Sequence, residues 1–151
     1  MEKYDRNLEK RVWERIREET PREPDLRNLP ALIADEAAAA ALYRSLARRV
    51  LPRHRDTMLH MAREEQAHRD ALMGMYYLTT GRRAAVQVPV PGQSPLEAAL
   101  RRSYAGELKS IAAYEARSED PEYGAAFARM AQEEGDHSRW ILEILGDLGK
   151  V

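Results

Sequence analysis

One eight-residue stretch occurs twice in this 151-residue chain, so any fold has to accommodate both copies. Met61-Ala62-Arg63-Glu64-Glu65-Gln66-Ala67-His68 returns 69 positions later as Met130-Ala131-Gln132-Glu133-Glu134-Gly135-Asp136-His137. Each copy contains Glu-x-x-His, pairing Glu65 with His68 and Glu134 with His137. Residues three apart on an α-helix share a face, so each copy aims a carboxylate and an imidazole in one direction. A single match would carry little weight, because 17 Glu and 4 His placed at random give about half a match. Two copies with the same Met, Ala and Glu neighbours form a repeat. Oxygen and nitrogen donors converging from two helices suit a divalent transition metal.

The periodicity around the repeat predicts an all-α chain. Residues 2 to about 19 read as an amphipathic helix with Tyr4, Leu8, Val12, Trp13 and Ile16 on one stripe. Thr20-Pro21 and Pro24 end it, and with the linker it forms a first unit, 1–28. The remainder, 29–151, reads as a four-helix bundle. Its first helix is expected from Pro30 to Val50, with Leu29, Leu32, Ile33, Glu36, Ala40, Tyr43, Ala47 and Val50 inward. Leu51-Pro52 marks a turn. The second helix runs to Thr79, placing Met58, Met61, Glu65, His68, Leu72, Met75 and Tyr76 inward, and Gly81 stops it. Residues 81–93 look extended, and thirteen residues reach roughly 45 Å. That spans a 25-residue helix of about 38 Å, as a long crossover requires. Ser94-Pro95-Leu96-Glu97 reads as a capping box opening a third helix over 95–118. Its stripe is Leu96, Leu100, Tyr104, Glu107, Ile111 and Tyr114. Asp120-Pro121 is expected to cap the fourth, with Tyr123, Phe127, Met130, Glu134, His137, Ile141 and Leu145 inward, ending at Leu145.

Two carboxylates break the apolar faces. Glu36 and Glu107 each sit on an inward stripe, where an unpaired carboxylate is costly to desolvate. Each is followed seven residues later by a tyrosine, Tyr43 and Tyr114, so the pairs repeat at an offset of 71. Positions 36 and 65 are equidistant from the Leu51-Pro52 turn, and 107 and 134 from Asp120-Pro121. In an antiparallel hairpin, such residues lie at one height. Each hairpin therefore brings one lone Glu level with one Glu-x-x-His. Four carboxylates and two imidazoles at one level need compensation. Two divalent cations supply +4 against −4.

That constellation resembles the ferritin-like di-iron carboxylate superfamily, most closely its rubrerythrin-like and bacterioferritin-like branches, over residues 30–146. The resemblance implies two Fe ions, with Mn as the alternative metal, held by Glu36, Glu65, His68, Glu107, Glu134 and His137. Glu65 and Glu134 would bridge, Glu36 and Glu107 bind terminally, and each histidine take one metal. It implies a ferritin-like bundle with a long crossover between its second and third helices, reacting with O2 or hydrogen peroxide as an oxidoreductase. The chain departs from the pattern at Ser110, where peroxide-reducing rubrerythrins carry an extra Glu, and at Gln66, where bacterioferritins carry the haem-binding Met. No haem is therefore expected.

Composition narrows the partners. The formal net charge of −1 lacks the basic excess that nucleic acid requires. With no cysteine there is no iron–sulfur cluster, and a separate electron donor is expected. The charged start and the lack of an 18-residue apolar run predict no signal peptide and no membrane span. Cytoplasmic localisation is the default, and a homodimer the expected assembly. Tyr43 and Tyr114 are candidate catalytic residues, hydrogen-bonding a ligand carboxylate or a reduced oxygen species, against a plain core role. Glu64 and Glu133 are candidates to orient the opposite imidazoles, His137 and His68, against a solvated role. His60 reads as an ordinary polar residue and His54 as exposed. Three alternatives to the oxidase stand open: a ferroxidase or iron-handling protein, a dimanganese catalase-like protein, and a redox-silent structural metal bundle.

Overall fold

The computed structural model of the chain describes residues 28–150. The helix expected over 2–19 lies outside the described residues, as does most of its linker. Among the described residues there are four α-helices and no strand: α1 (Leu29–Leu46), α2 (Arg55–Thr80), α3 (Leu96–Glu115) and α4 (Gly124–Leu148). An Ala-rich run with Pro30 in its first turn suits α1. It ends at Leu46 rather than at Val50. Leu51 precedes a proline and is driven to extended backbone, φ −55° and ψ 145°. Residues 47–50 close into turns instead, with Arg49 N donating to Leu46 O at 2.8 Å. One 3₁₀ turn, Pro52–His54, leads into α2. Gly81 stops α2 as expected, in the left-handed region at φ 68°, its N–H on the Tyr77 carbonyl at 2.8 Å.

The two later helix starts differ from expectation. The Ser94 capping box does not form, because Pro95 itself is the residue before the helix and no side chain caps it. The Ser94 carbonyl accepts instead from Arg49 Nη2 at 2.8 Å, fastening the crossover to the end of the first hairpin. Asp120 caps the turn before the fourth helix rather than the helix itself, whose N-terminus has no side-chain cap. Its Oδ1 accepts the N–H groups of Glu122 at 3.0 Å and Tyr123 at 2.7 Å, so α4 begins only at Gly124. A Cβ at Gly124 would lie 2.3 Å from the Ser118 carbonyl oxygen, which explains the glycine.

α1 packs along α2 and α3 along α4 as two hairpins, which meet chiefly through α2 and α4. Two apolar clusters fill the bundle. One holds Leu29, Ile33, Leu72, Met75, Phe127 and Met130. The other holds Leu46, Met58, Met61, Leu100, Ile141 and Ile144. On every helix, the charged residues of the repeat fall between the two. Leu32, Tyr76, Leu96, Tyr104, Ile111, Tyr123 and Leu145, expected inward, are only half-buried, while Ala99, Ser103 and Ile144 are buried. The crossover, 81–95, runs past both clusters. Ala84 and Val86 pack on the first, and Pro89–Ser94 lie beside Ala38, Leu42 and Ala99. His54, expected exposed, is half-buried with its Nε2 2.6 Å from Asp147 Oδ2. His54 and Arg53 together hold Asp147 below its usual range, at about 2, and tie the first hairpin's turn to the end of α4. No helix among the described residues is long and apolar enough to cross a membrane.

Candidate metal centre

The six charged residues of the repeat are all buried at mid-bundle, between 0% and 3% exposed. α1 supplies Glu36, α2 supplies Glu65 and His68, α3 supplies Glu107, and α4 supplies Glu134 and His137. Their donor atoms fall into two groups, each within 4.8 Å mutually: Glu36, Glu65, His68 and Glu134, then Glu65, Glu107, Glu134 and His137. Glu65 and Glu134 belong to both.

Both imidazoles turn Nδ1 inward. His68 Nδ1 lies 2.7 Å from Glu134 Oε1, 3.3 Å from Glu65 Oε2 and 3.7 Å from Glu36 Oε2. His137 Nδ1 lies 3.1 Å from Glu65 Oε1 and 3.6 Å from Glu107 Oε1. The outward nitrogens go where the repeat suggests. Nε2 of His68 meets Glu133 Oε2, and Nε2 of His137 meets Glu64 Oε2, both at 2.7 Å. Each hairpin thus orients the other's imidazole. The tyrosines cross between hairpins in the same way, Tyr43 donating to Glu107 and Tyr114 to Glu36.

Sequence reading overlooked Trp140. Its ring lies 5.9 Å from that of His137 and 5.7 Å from that of His60. His60 in turn reaches Glu64 at 3.1 Å, so it joins the outer support of His137 rather than standing alone. The spacing of three from His137 to Trp140 was the available signal, since it places both on one face of α4.

Charge is balanced without any metal. Burial pushes Glu65 well above the carboxylate range, reinforced by the adjoining Glu36 carboxylate, and pushes Glu134 up to about 11. Burial also opposes ionisation of Glu36 and Glu107. The adjoining Glu65, His68 and Tyr114 outweigh it for Glu36, and the adjoining His137, Glu134 and Tyr43 outweigh it for Glu107, held at about 2. Both imidazoles are raised despite burial, His68 by Glu134, Glu36 and Glu65, and His137 by Glu107. Burial and the adjoining carboxylates keep both tyrosines protonated. Two carboxylates and two imidazoliums cancel.

Hydrogen bonding is nevertheless incomplete. Glu65 Oε2, His68 Nδ1, Glu107 Oε2 and Glu134 Oε1 are buried with no hydrogen-bond partner. His68 Nδ1 and Glu134 Oε1 approach to 2.7 Å without the alignment of a hydrogen bond. Atoms that crowd together yet lack a partner could serve as ligands to metal ions. Imidazole and carboxylate donors of this number suit Fe, Mn or Zn rather than a soft thiophilic ion. Comparison of the chain with protein-family models, with curated proteins and with solved structures finds no match.

Proposed function

We propose that this chain is a ferritin-like di-metal carboxylate protein, holding two iron ions and reacting with O2 or hydrogen peroxide in the manner of a rubrerythrin-like oxidoreductase. The observation that carries the reading is the sharing of Glu65 and Glu134 between two donor groups, each completed by one further Glu and one His. A single-metal site needs no such doubling. Glu36 and His68 would complete one ion's set, Glu107 and His137 the other's. When bound, two ferrous ions supply the two electrons that, with two protons, reduce hydrogen peroxide to two waters.

The chain's own residues prepare that site. Burial between two apolar clusters strengthens every charge interaction within it. Tyr43 and Tyr114 each donate to a terminal carboxylate, fixing the oxygen that remains for a metal. Glu64 and Glu133 hold Nε2–H of the two imidazoles, so each Nδ1, once deprotonated, would offer its lone pair inward. With no cysteine in the chain, the electrons that reset the site come from a separate donor.

The test is anaerobic loading with ferrous iron, then stopped-flow absorbance on mixing with O2 and, separately, hydrogen peroxide. Rapid oxidation of two irons per chain is expected, and its loss in Glu36→Ala and Glu107→Ala. Unchanged kinetics in both variants would sink the assignment. Continued oxidation beyond two irons, with a growing mineral, would make iron the substrate and the protein a ferroxidase.

A further inference from the structure

We propose that the gap between α1 and α3 is a binding site for a small organic monoanion, a carboxylate with a compact apolar body, seated directly over the candidate metal centre. The hairpins approach most closely through α2 and α4, while α1 and α3 are joined through Tyr43 with Glu107 and Tyr114 with Glu36. Between them lies a cavity of about 310 Å³. That is roughly twice the ~150 Å³ of an engineered cavity that takes up benzene, and it lies at the lower end of ordinary ligand pockets.

Its walls and floor differ in chemistry. Ala38, Ala39 and Leu42 face it from α1, and Gly106, Ser110 and Ala113 from α3. Small side chains at five of these six positions create the space, since larger ones there would fill it. The floor is Glu36, Glu65, Glu107 and Glu134, so an occupant lies against the same carboxylates that would hold the metals. A path for water or peroxide alone does not require that width.

The lining also fixes the ligand's charge and direction. Arg102 and Lys109 are exposed on α3 and line the cavity, spaced seven residues apart and so on one face of the helix. Among the described residues neither has a carboxylate partner within ion-pair distance, whereas Arg101 between them pairs with Glu97 at 2.8 Å. Asp35 is the one exposed acid in the lining, leaving a net charge of +1 from the exposed groups. Two dications would neutralise the four floor carboxylates, so the floor would offer an anion no excess positive charge. This step rests on the metal reading above. The anionic head therefore belongs at Arg102 and Lys109, with the apolar body inward between Leu42, Ala39 and Gly106. Arg102 also borders a second cavity, of about 260 Å³, beneath Pro89–Gly92 of the crossover. The guanidinium thus sits where the crossover flanks the site.

The experiment is a ¹⁹F NMR titration of 4-fluorobenzoate into the full chain, after Zn2+ binding has been counted for each variant. Zinc is redox-silent, so the readout is occupancy rather than turnover. One saturable site per chain is expected, weakened at least tenfold by Arg102→Glu. Gly106→Leu should abolish it. Gly106 lines the cavity and nothing lies within 4 Å of a Cβ there, so the added side chain is accommodated without disturbing the fold. With two zinc ions bound, absence of fluorobenzoate binding overturns the proposal and leaves the metal reading intact. Equal binding in both variants overturns it too, and equally tight binding of 4-fluorobenzyl alcohol overturns the anionic specificity. Failure of zinc to bind overturns the metal reading and this proposal together, because the proposed ligand is seated over metal-bound carboxylates.

Discussion

Burial splits the four glutamates into two kinds. Burial and neighbouring carboxylates favour the neutral form of Glu65 and Glu134, while the adjoining imidazoles and tyrosines favour the ionised form of Glu36 and Glu107. A carboxyl raised above its unfolded value binds a proton on folding. Its contribution to stability is therefore greatest below the unfolded pKa and is lost as pH rises toward the folded one. At pH 7 Glu65 and Glu134 consequently cost stability, and Glu65→Gln or Glu134→Gln should raise the melting temperature of the metal-free protein. Glu36→Gln and Glu107→Gln remove a charged acceptor from an imidazolium and a tyrosine, and should lower the melting temperature, costing a few kcal/mol of stability. Calorimetry of the four variants checks the sign, and equal shifts would refute the division. All four should lose most of the stabilisation that added metal gives the native chain. Every member of this set was legible from the sequence, because a carboxylate or imidazole on an apolar stripe is conspicuous. Trp140 was not, since an aromatic on a helix facing a core draws no notice until its neighbour is known.

The helices were legible where chemistry is local and strong. Gly81 stops α2 because its backbone takes a conformation other residues resist, and Leu51-Pro52 breaks the chain for a steric reason. Helix starts were less legible. Ser94 had the right neighbours for a cap, but Pro95 and the pull of Arg49 on its carbonyl left the box unformed. His54 read as exposed because its partner, Asp147, lies 93 residues away. The glycines give a contrast at this scale. Gly124→Ala drives a Cβ against the Ser118 carbonyl and should cost about 1–3 kcal/mol. Gly74→Ala, mid-helix in α2 with nothing within 4 Å of the new Cβ, should gain roughly 0.5–1 kcal/mol. Chemical denaturation measures both, and a stabilising Gly124→Ala would contradict the turn geometry.

For the whole molecule, the two hairpins act as complementary halves. Each contributes a lone Glu and a Glu-x-x-His pair, each orients the other's imidazole through Glu64 or Glu133, and each steadies the other's carboxylate through Tyr43 or Tyr114. The interface is built on polar groups that only a balanced charge can keep buried. Protons serve that purpose without metal, on Glu65, Glu134, His68 and His137. Metal binding requires all four groups deprotonated. Loading two dications at pH 7 should therefore release about four protons, and affinity should rise with pH. Titration in weakly buffered solution counts them, and release near zero would mean that the ions bind elsewhere. The sequence repeat foretold this two-part design. The cavity between α1 and α3 was not foretold, because the spacing of two helices depends on how the hairpins dock rather than on either sequence stripe. The most direct test of the central claim is an anomalous difference map at the iron edge from crystals loaded anaerobically with ferrous iron. Two peaks about 3.5–4 Å apart, both bound by Glu65 and Glu134, are expected. A single peak, or none at these residues, would contradict it.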